Sequence, residues 1–304
     1  MIPGAWNPGL PSEDGRPKFT SITGLDVRPR RHGFELPLDT WQIWGWWSIV
    51  AIFVMYFCVT GPMLPNHAAA FSVTAVMASI GTIVIAMKII MSILPNEDLQ
   101  THGPQLPAAT LRDTSLAPTG ASMCSYCRRW TDRSSRHCAV CDKCVIGFDH
   151  HCRWLNVCVG SRNYRPFIGF VSATLASLLV VVAATAATAA DCLGHVDRCR
   201  SRLRLMYGEA SIEAYLVFAF VLLAYTLCGV GVIGHLWCYH MWLIATGRTT
   251  YSHIQEQRER KRAERERQRL APGENTPPGC CAEVKRRDFK AENRSRTAEN
   301  APFS

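Results

Sequence analysis

Residues Thr40 to Met87 read TWQIWGWWSIVAIFVMYFCVTGPMLPNHAAAFSVTAVMASIGTIVIAM, 48 consecutive positions without an Asp, Glu, Lys or Arg. Two more charge-free runs follow, 25 residues from Pro166 to Ala190 and 34 from Ala214 to Gly247. An α-helix crosses the hydrocarbon of a bilayer in about 20 apolar residues. Inside that hydrocarbon every backbone polar group must be satisfied within the protein, which favours helices. A soluble core of three buried helices would need polar helices around it, and this chain has too few. The overall hydrophobic share of 48% is ordinary for a soluble protein; the clustering identifies membrane spans.

The 48-residue run is too long for one span, and Gly61-Pro62 and Pro65-Asn66-His67 break it. It reads as two helices, Trp41 to Leu64 and Ala68 to Leu94, with Lys88 near enough to the end of the second to snorkel to the interface. Phe167 to Ala190 and Ile212 to Ala245 supply the third and fourth. Residues 1–40 are polar and Pro/Gly-rich, and the first span is too long for a signal-peptide core, so no secretory signal is expected. Four spans put both termini and residues 95–166 on one side. Arg28, Arg30 and Arg31 precede the first span, and Arg248 and seven further Lys or Arg up to Arg269 follow the last. The positive-inside bias assigns these segments to the cytoplasm. The intervening 191–211 loop, assigned to the lumen, carries Arg198, Arg200, Arg202 and Arg204, partly offset by Asp191, Asp197 and Glu209. The expected organisation is therefore an N-terminal segment 1–40, spans one and two in 41–94, a cytoplasmic domain 95–166, span three in 167–190, a luminal loop 191–211, span four in 212–247 and a cytoplasmic tail 248–304. In that tail, residues 255–269 alternate acidic and basic residues as a solvated helix does, and residues 270–304 have a disordered composition.

Seven of the 14 cysteines lie between Cys124 and Cys158, in CSYCRRWTDRSSRHCAVCDKCVIGFDHHCRWLNVC. Cys124-x-x-Cys127, His137-Cys138-x-x-Cys141 and Cys144 have metal-ligand spacing, and His150-His151-Cys152 and Cys158 follow. Structural zinc takes four Cys or His ligands. Setting aside Cys152 and one of His150 and His151 leaves eight ligands, enough for two sites. A loop this small has little core of its own and needs metal to hold its shape. Cys152 would then be a spare thiol beside an imidazole, which favours the reactive thiolate, with Asp149 as orienter. The competing reading makes every one of these residues a metal ligand. A disulfide framework fits less well, because paired C-x-x-C spacing suits metal.

The pattern C-x2-C, nine residues, H-C-x2-C-x2-C, four residues, D-H-H-C, five residues, C-x4-N-x3-F is met at Cys124, Cys127, His137, Cys138, Cys141, Cys144, Asp149, His150, His151, Cys152, Cys158, Asn163 and Phe167. In this the chain resembles the DHHC family of protein S-acyltransferases. The resemblance implies an all-α polytopic membrane protein, with four transmembrane helices and a small zinc-stabilised cysteine-rich cytoplasmic domain between helices 2 and 3. It implies two structural zinc ions, one on Cys124, Cys127, His137 and Cys144, the other on Cys138, Cys141, His151 and Cys158. It implies Cys152 as the acyl-accepting nucleophile, His150 as its base and Asp149 as support for His150, with palmitoyl-CoA as donor. Departures from the family pattern are Thr131-Asp132, Arg153, Val157 and Ser252, the last in place of the Glu of a T-T-x-E motif at Thr249-Thr250-Tyr251. The missing Glu puts docking of the tail in question.

Several expectations extend that resemblance. Trp154 would help wall the acyl-CoA interface, with buried packing as the alternative. Arg153, Arg162 and Arg165 would meet CoA phosphates, or anionic lipid heads. Ser177, in a third span rich in small residues, would let a cavity among the helices run deep enough for C16 or C18 chains; close helix packing is the competing role. Cys280 and Cys281 in the tail are candidate acylation sites, which would make the protein itself a palmitate-bearing lipoprotein. Cys192 and Cys199 are candidates for a disulfide. The expected partners are the lipid bilayer and cytoplasmic or membrane-associated proteins with juxtamembrane cysteines, in the Golgi or endoplasmic reticulum membrane. Nucleic acid is not expected despite the net charge of +9, because the cluster lacks finger spacing. A non-enzymatic zinc-containing membrane adaptor is the alternative function.

Overall fold

A computed structural model describes residues 30–94, 96 and 118–270. Cys280 and Cys281, and the tail expected to be disordered, lie outside the described residues.

Among the described residues, four segments are long and apolar enough to cross a membrane: Thr40–Met63, Ala70–Ile93, Tyr164–Gly194 and Ile212–Ala245. The first is helix α1 (Thr40–Met55), whose N-cap Asp39 accepts the Trp41 N–H at 2.8 Å, continued by a π-helical turn at Tyr56–Thr60 and a 3-10 turn at Gly61–Met63. Pro62 cannot donate to an α-helical ladder, so the helix unwinds there. Asn66 caps α2 (His67–Ile93) through the Ala68 N–H. Helix α3 (Tyr164–Gly194) packs on α5 (Ile212–Ala245) and on α2. Tyr56, Met77, Val181, Ala184 and Leu222 fill the middle of the bundle. Large apolar side chains remain outside it, Trp47 at 71% and Phe71 at 78% exposure. Such an all-round apolar surface matches a lipid surround and not water.

Residues 191–211, read from the sequence as a plain loop, contain helix α4 (Val196–Tyr207). A Cys192–Cys199 disulfide ties it to the last turn of α3. Its buried Cys199 and Leu203 pack on Met63, Tyr215 and Ala219. Arg202 bonds Asp191 at 2.6 Å and the Pro65 carbonyl at 3.0 Å, and Arg198 lies 3.5 Å from Asp191. Arg200 lies 3.9 Å from Asp197, so three of the four arginines that weaken the charge bias are partnered within the protein.

Between α2 and α3 the chain forms strands, in three antiparallel hairpins: β1 (Ala121–Cys124) with β2 (Arg129–Asp132), β3 (Arg136–Cys138) with β4 (Lys143–Val145), and β5 (His150–Cys152) with β6 (Val157–Val159). Each turns through a non-glycine residue at positive φ, Arg128 (52°), Asp142 (50°) and Asn156 (55°). The segment before α1 straps this domain to the bundle. Arg30 N–H donates to Cys141 O at 2.8 Å and Gly33 N–H to Ser92 O at 2.6 Å. The Gly33 carbonyl accepts from Gln42 and Asn156. A Cβ at Gly33 would lie 2.2 Å from the Leu155 carbonyl oxygen, so only glycine fits. Helix α6 (Thr250–Leu270) follows α5. Residues up to His253 form one compact unit and those from Ile254 a second, whose helix carries an Arg260–Glu256 pair at 2.6 Å.

Candidate active site

The three hairpins share one local plan. Cys124-x-x-Cys127 leads into Arg128, Cys138-x-x-Cys141 into Asp142, and Cys152-x-x-Leu155 into Asn156. In the third, leucine stands where the first two have their second cysteine. Leu155 is fully buried and its N–H closes the turn onto the Cys152 carbonyl at 3.2 Å. Cys152 therefore has no chelating neighbour within its own turn.

Strand alternation sorts the remaining ligands. His137 pairs across the central hairpin with Cys144, and the next residue, Cys138, points the other way. The central hairpin thus serves two clusters. Cys124, Cys127, His137 and Cys144 form one, and Cys138, Cys141, His151 and Cys158 the other, each with its ligand atoms within 4.8 Å of one another. In the first, Cys127 Sγ lies 3.3 Å from His137 Nδ1 and 3.7 Å from Cys144 Sγ. In the second, His151 Nδ1 lies 3.3 Å from Cys141, 3.8 Å from Cys138 and 3.7 Å from Cys158 Sγ. Zinc bonds of about 2.0–2.3 Å in a tetrahedron span ligand separations of this size. Three sulfurs and one imidazole nitrogen suit structural zinc in each cluster. The sets are those the family resemblance implied.

The same alternation turns His150 and Cys152 away from His151. Cys152 pairs with Val157 across the hairpin. It is 8% exposed and packs among Met91 of α2, Phe167 and Val171 of α3, and Leu155 and Val157. The thiol thus lies where the hairpins meet the ends of the apolar helices. His150 interacts with it, and His150 Nδ1 lies 2.7 Å from Asp149 Oδ2. Burial favours the neutral imidazole, but the bonds and charges of Asp149 and Cys152 outweigh it and raise His150 to about 9. Burial pushes the Asp149 carboxyl up, yet His150 and then the Thr250 N–H more than reverse this, and it sits below its ordinary value.

Other elements hold this triplet: the motif at Thr249-Thr250-Tyr251 had marked Thr250 but not its contact with Asp149, and the sequence did not point to His240. The Thr250 N–H donates to Asp149 Oδ1 at 2.7 Å. His240 of α5 is buried, accepts or donates to the Tyr164 hydroxyl at 3.0 Å, and sits edge-on to Phe167, 5.0 Å between ring centroids. Its ring lies 5.7 Å from that of His150. Lys88 is 1% exposed, and its ammonium ends on the Trp154 carbonyl at 3.0 Å and not in open solvent. Its signal in the sequence was its isolation as a charge within two apolar spans.

The Ser252 departure also finds its place. Thr249 Oγ1 accepts the Ser252 N–H and Ser252 Oγ accepts the Thr249 N–H, both at 3.0 Å, a reciprocal cap that starts α6. The contact to Asp149 comes from backbone and does not need the missing Glu.

The candidate donor contacts are spread wider. Trp154 is 42% exposed and packs on Trp41 of α1 at 5.3 Å. Arg153 pairs with Asp39 at 2.8 Å, while its side chain stays 57% exposed. Arg162 and Arg165 are exposed near the start of α3. Ser177 is buried on α3 and donates to the Thr174 carbonyl at 2.8 Å, away from the cysteine hairpins.

Residues 118–257 match the family described as DHHC palmitoyltransferase. The chain is 32% identical over 166 residues to a protein named Palmitoyltransferase erf2 from Emericella nidulans, covering 53% of this chain and 26% of that protein. It is 33% identical over 140 residues to Palmitoyltransferase ERF2 of Kluyveromyces lactis, covering 45% and 34%. It is 30% identical over 171 residues to Protein S-acyltransferase 8 of Arabidopsis thaliana, covering 53% and 40%. The match thus spans well under two thirds of these relatives.

Proposed function

The chain carries a DHHC palmitoyltransferase domain at residues 118–257, and from that premise we propose that it is a protein-cysteine S-acyltransferase working through an acyl-Cys152 intermediate. The observation that carries this reading is the third hairpin. Leu155 in place of a second cysteine leaves Cys152 outside both ligand sets, beside the His150–Asp149 pair and against the ends of the membrane helices.

The reaction has two steps. The Cys152 thiolate attacks the carbonyl carbon of palmitoyl-CoA, an S–C bond forms, and the C–S bond to CoA breaks. His150, protonated beside the thiolate, gives its proton to the departing CoA sulfur. A cysteine of the target protein then yields its proton to His150 and attacks the acyl-enzyme. The S–C bond to Cys152 breaks, leaving thiolate and imidazolium as at the start. Covalent catalysis of this kind divides one difficult transfer into two easier ones. Asp149 orients His150 and supports its charge, as in other nucleophile-base-orienter sets. Two zinc ions, one on each Cys3His set, would cross-link hairpins too small to hold their shape alone.

The acyl chain would lie among the membrane helices, with Ser177 marking the depth available, Trp154 walling the interface, and Arg153, Arg162 and Arg165 near the CoA phosphates. Each buried methylene contributes about 0.8 kcal/mol, which favours long chains. Substrates would be cytoplasmic or membrane-associated proteins whose cysteines lie close to the bilayer. The domain and both termini would face the cytoplasm of a Golgi or endoplasmic reticulum membrane. The thiol-rich clusters suit a reducing compartment and the Cys192–Cys199 disulfide, in the segment joining spans three and four, suits an oxidising lumen.

The test is incubation of purified protein with labelled palmitoyl-CoA, wild type beside Cys152→Ser. Hydroxylamine-sensitive label on the wild type alone is expected. An unlabelled wild type, or equal label on the variant, would overturn the proposal and favour a non-enzymatic adaptor.

A further inference from the structure

Lys88 is the one charged residue between Thr40 and Asn96. It lies on a helix long and apolar enough to span a membrane, and it is 1% exposed. An ionisable side chain at such a position is costly, and usually marks a functional site. Four residues from three elements converge on its ammonium. The Trp154 carbonyl of the β5–β6 turn accepts from it at 3.0 Å. The ring centroids of Trp46 (α1) and Phe170 (α3) lie 5.1 and 6.0 Å away. A Cβ at Gly45 of α1 would stand 3.0 Å from Nζ, so glycine at that turn leaves the space. No salt bridge joins Lys88 to a carboxylate among the described residues.

Bracing the turn does not by itself require a charge. One helical turn further along α2, Ser92 Oγ reaches the neighbouring Leu155 carbonyl at 3.4 Å as a neutral donor. A carbonyl dipole and two ring faces compensate an ammonium only in part. The remaining positive potential acts on Cys152, with which Lys88 interacts electrostatically.

Resting on the acyl-transfer reading, we propose that Lys88 is a positioning residue for that reaction, fixing the Cys152–Leu155 turn through the Trp154 carbonyl and holding a buried positive charge close to that turn. As the Cys152 S–C bond forms, the carbonyl π pair moves onto oxygen, and the negative charge of the thiolate passes from sulfur to that oxygen in a site shielded from water. A fixed cation there favours the tetrahedral state over the bound thioester. When the pair returns and the C–S bond to CoA breaks, that benefit is released, so the effect falls on rate and not on donor binding.

The experiment compares wild type with Lys88→Met, which keeps the length and apolar stem, measuring kcat and KM for palmitoyl-CoA together with bound zinc and the thermal midpoint. With zinc and midpoint preserved, kcat is expected to fall about tenfold to a hundredfold and KM to change by less than about twofold. A wild-type kcat overturns the proposal. Should Lys88→Met not fold, Lys88→Gln decides, since it keeps a donor for Trp154 without the charge: a similar loss of kcat supports the role and a wild-type kcat refutes it. An inactive wild type would instead refute the acyl-transfer reading itself.

Discussion

His150 Nδ1 and Asp149 Oδ2 are 2.7 Å apart, with the carboxylate side chain 1% exposed and the imidazole 24% exposed. Asp149 holds the ring by one nitrogen and leaves its other edge to Cys152. The pair also has a pH signature. The folded His150 is raised from 6.5 to about 9, so its contribution to stability is full below about pH 6.5 and is lost as pH rises through about 9. His150→Gln lacks that contribution. The gap in unfolding free energy between wild type and His150→Gln, measured by denaturant titration, is therefore expected to be at its full size below about pH 6.5, on the order of 3 kcal/mol, and to narrow by pH 9.5. A gap that stays constant across this window would mean that the ring is not held as imidazolium.

The second oxygen of Asp149 is held by the Thr250 N–H, the first residue of α6. Proline is well tolerated at the first position of a helix but has no N–H to give. Thr250→Pro should keep the helix and lose the bond, whereas Thr250→Ala keeps both. Acyl transfer is expected to fall roughly tenfold to a hundredfold in the proline variant and to stay within about twofold of wild type in the alanine variant. Equal rates in both would remove backbone docking of Asp149 from the mechanism.

Metal content separates ligands from nucleophile. Wild type and Cys152→Ser should each carry two zinc ions per chain, measured by elemental analysis. Cys141→Ser should carry at most one, because it removes a ligand from the second set. Its neighbouring hairpin should also lose order, since β3–β4 supplies ligands to both clusters. A Cys152→Ser protein that loses one zinc would place Cys152 among the ligands.

Much of this was legible in the sequence, for identifiable reasons. Charge-free runs separated by Gly61-Pro62 and Pro65 gave four spans because hydrocarbon tolerates little else. The cysteine spacing gave eight ligands but left open which of His150 and His151 belonged to a metal. The choice depends on strand alternation: His151 pairs with Cys158 across its hairpin, and His150 faces the opposite way. Strands of three or four residues built around metal ligands have no hydrophobic periodicity to announce them. Helix α4 was hidden because its sequence, VDRCRSRLRLMY, is largely charged and buries only Cys199 and Leu203. Thr250 stood in a motif whose likeness suggested tail docking, but the residue it reaches, Asp149, lies about a hundred positions earlier and the motif does not name it; His240 acts through similarly distant contacts and has no local pattern at all.

Ser177 offers a test of depth. It is buried on α3, and its hydroxyl is satisfied within its own helix by the Thr174 carbonyl at 2.8 Å. Its polarity is therefore not tied to another helix, and what it contributes toward its neighbours is small volume. One residue on, Leu178 packs so close to α5 that a Cβ at Gly229 would meet it at 3.3 Å, so the two helices leave little slack beside this level. If the acyl chain passes Ser177, a large ring there should block it. Competition among acyl-CoAs of different length is expected to favour C16 and C18 in wild type and C14 or shorter in Ser177→Phe. The alternative, in which Ser177 serves only close helix packing, predicts a different result: a lower thermal midpoint with an unchanged chain-length profile. A wild type that already prefers C14 or shorter would likewise count against a cavity reaching past this residue.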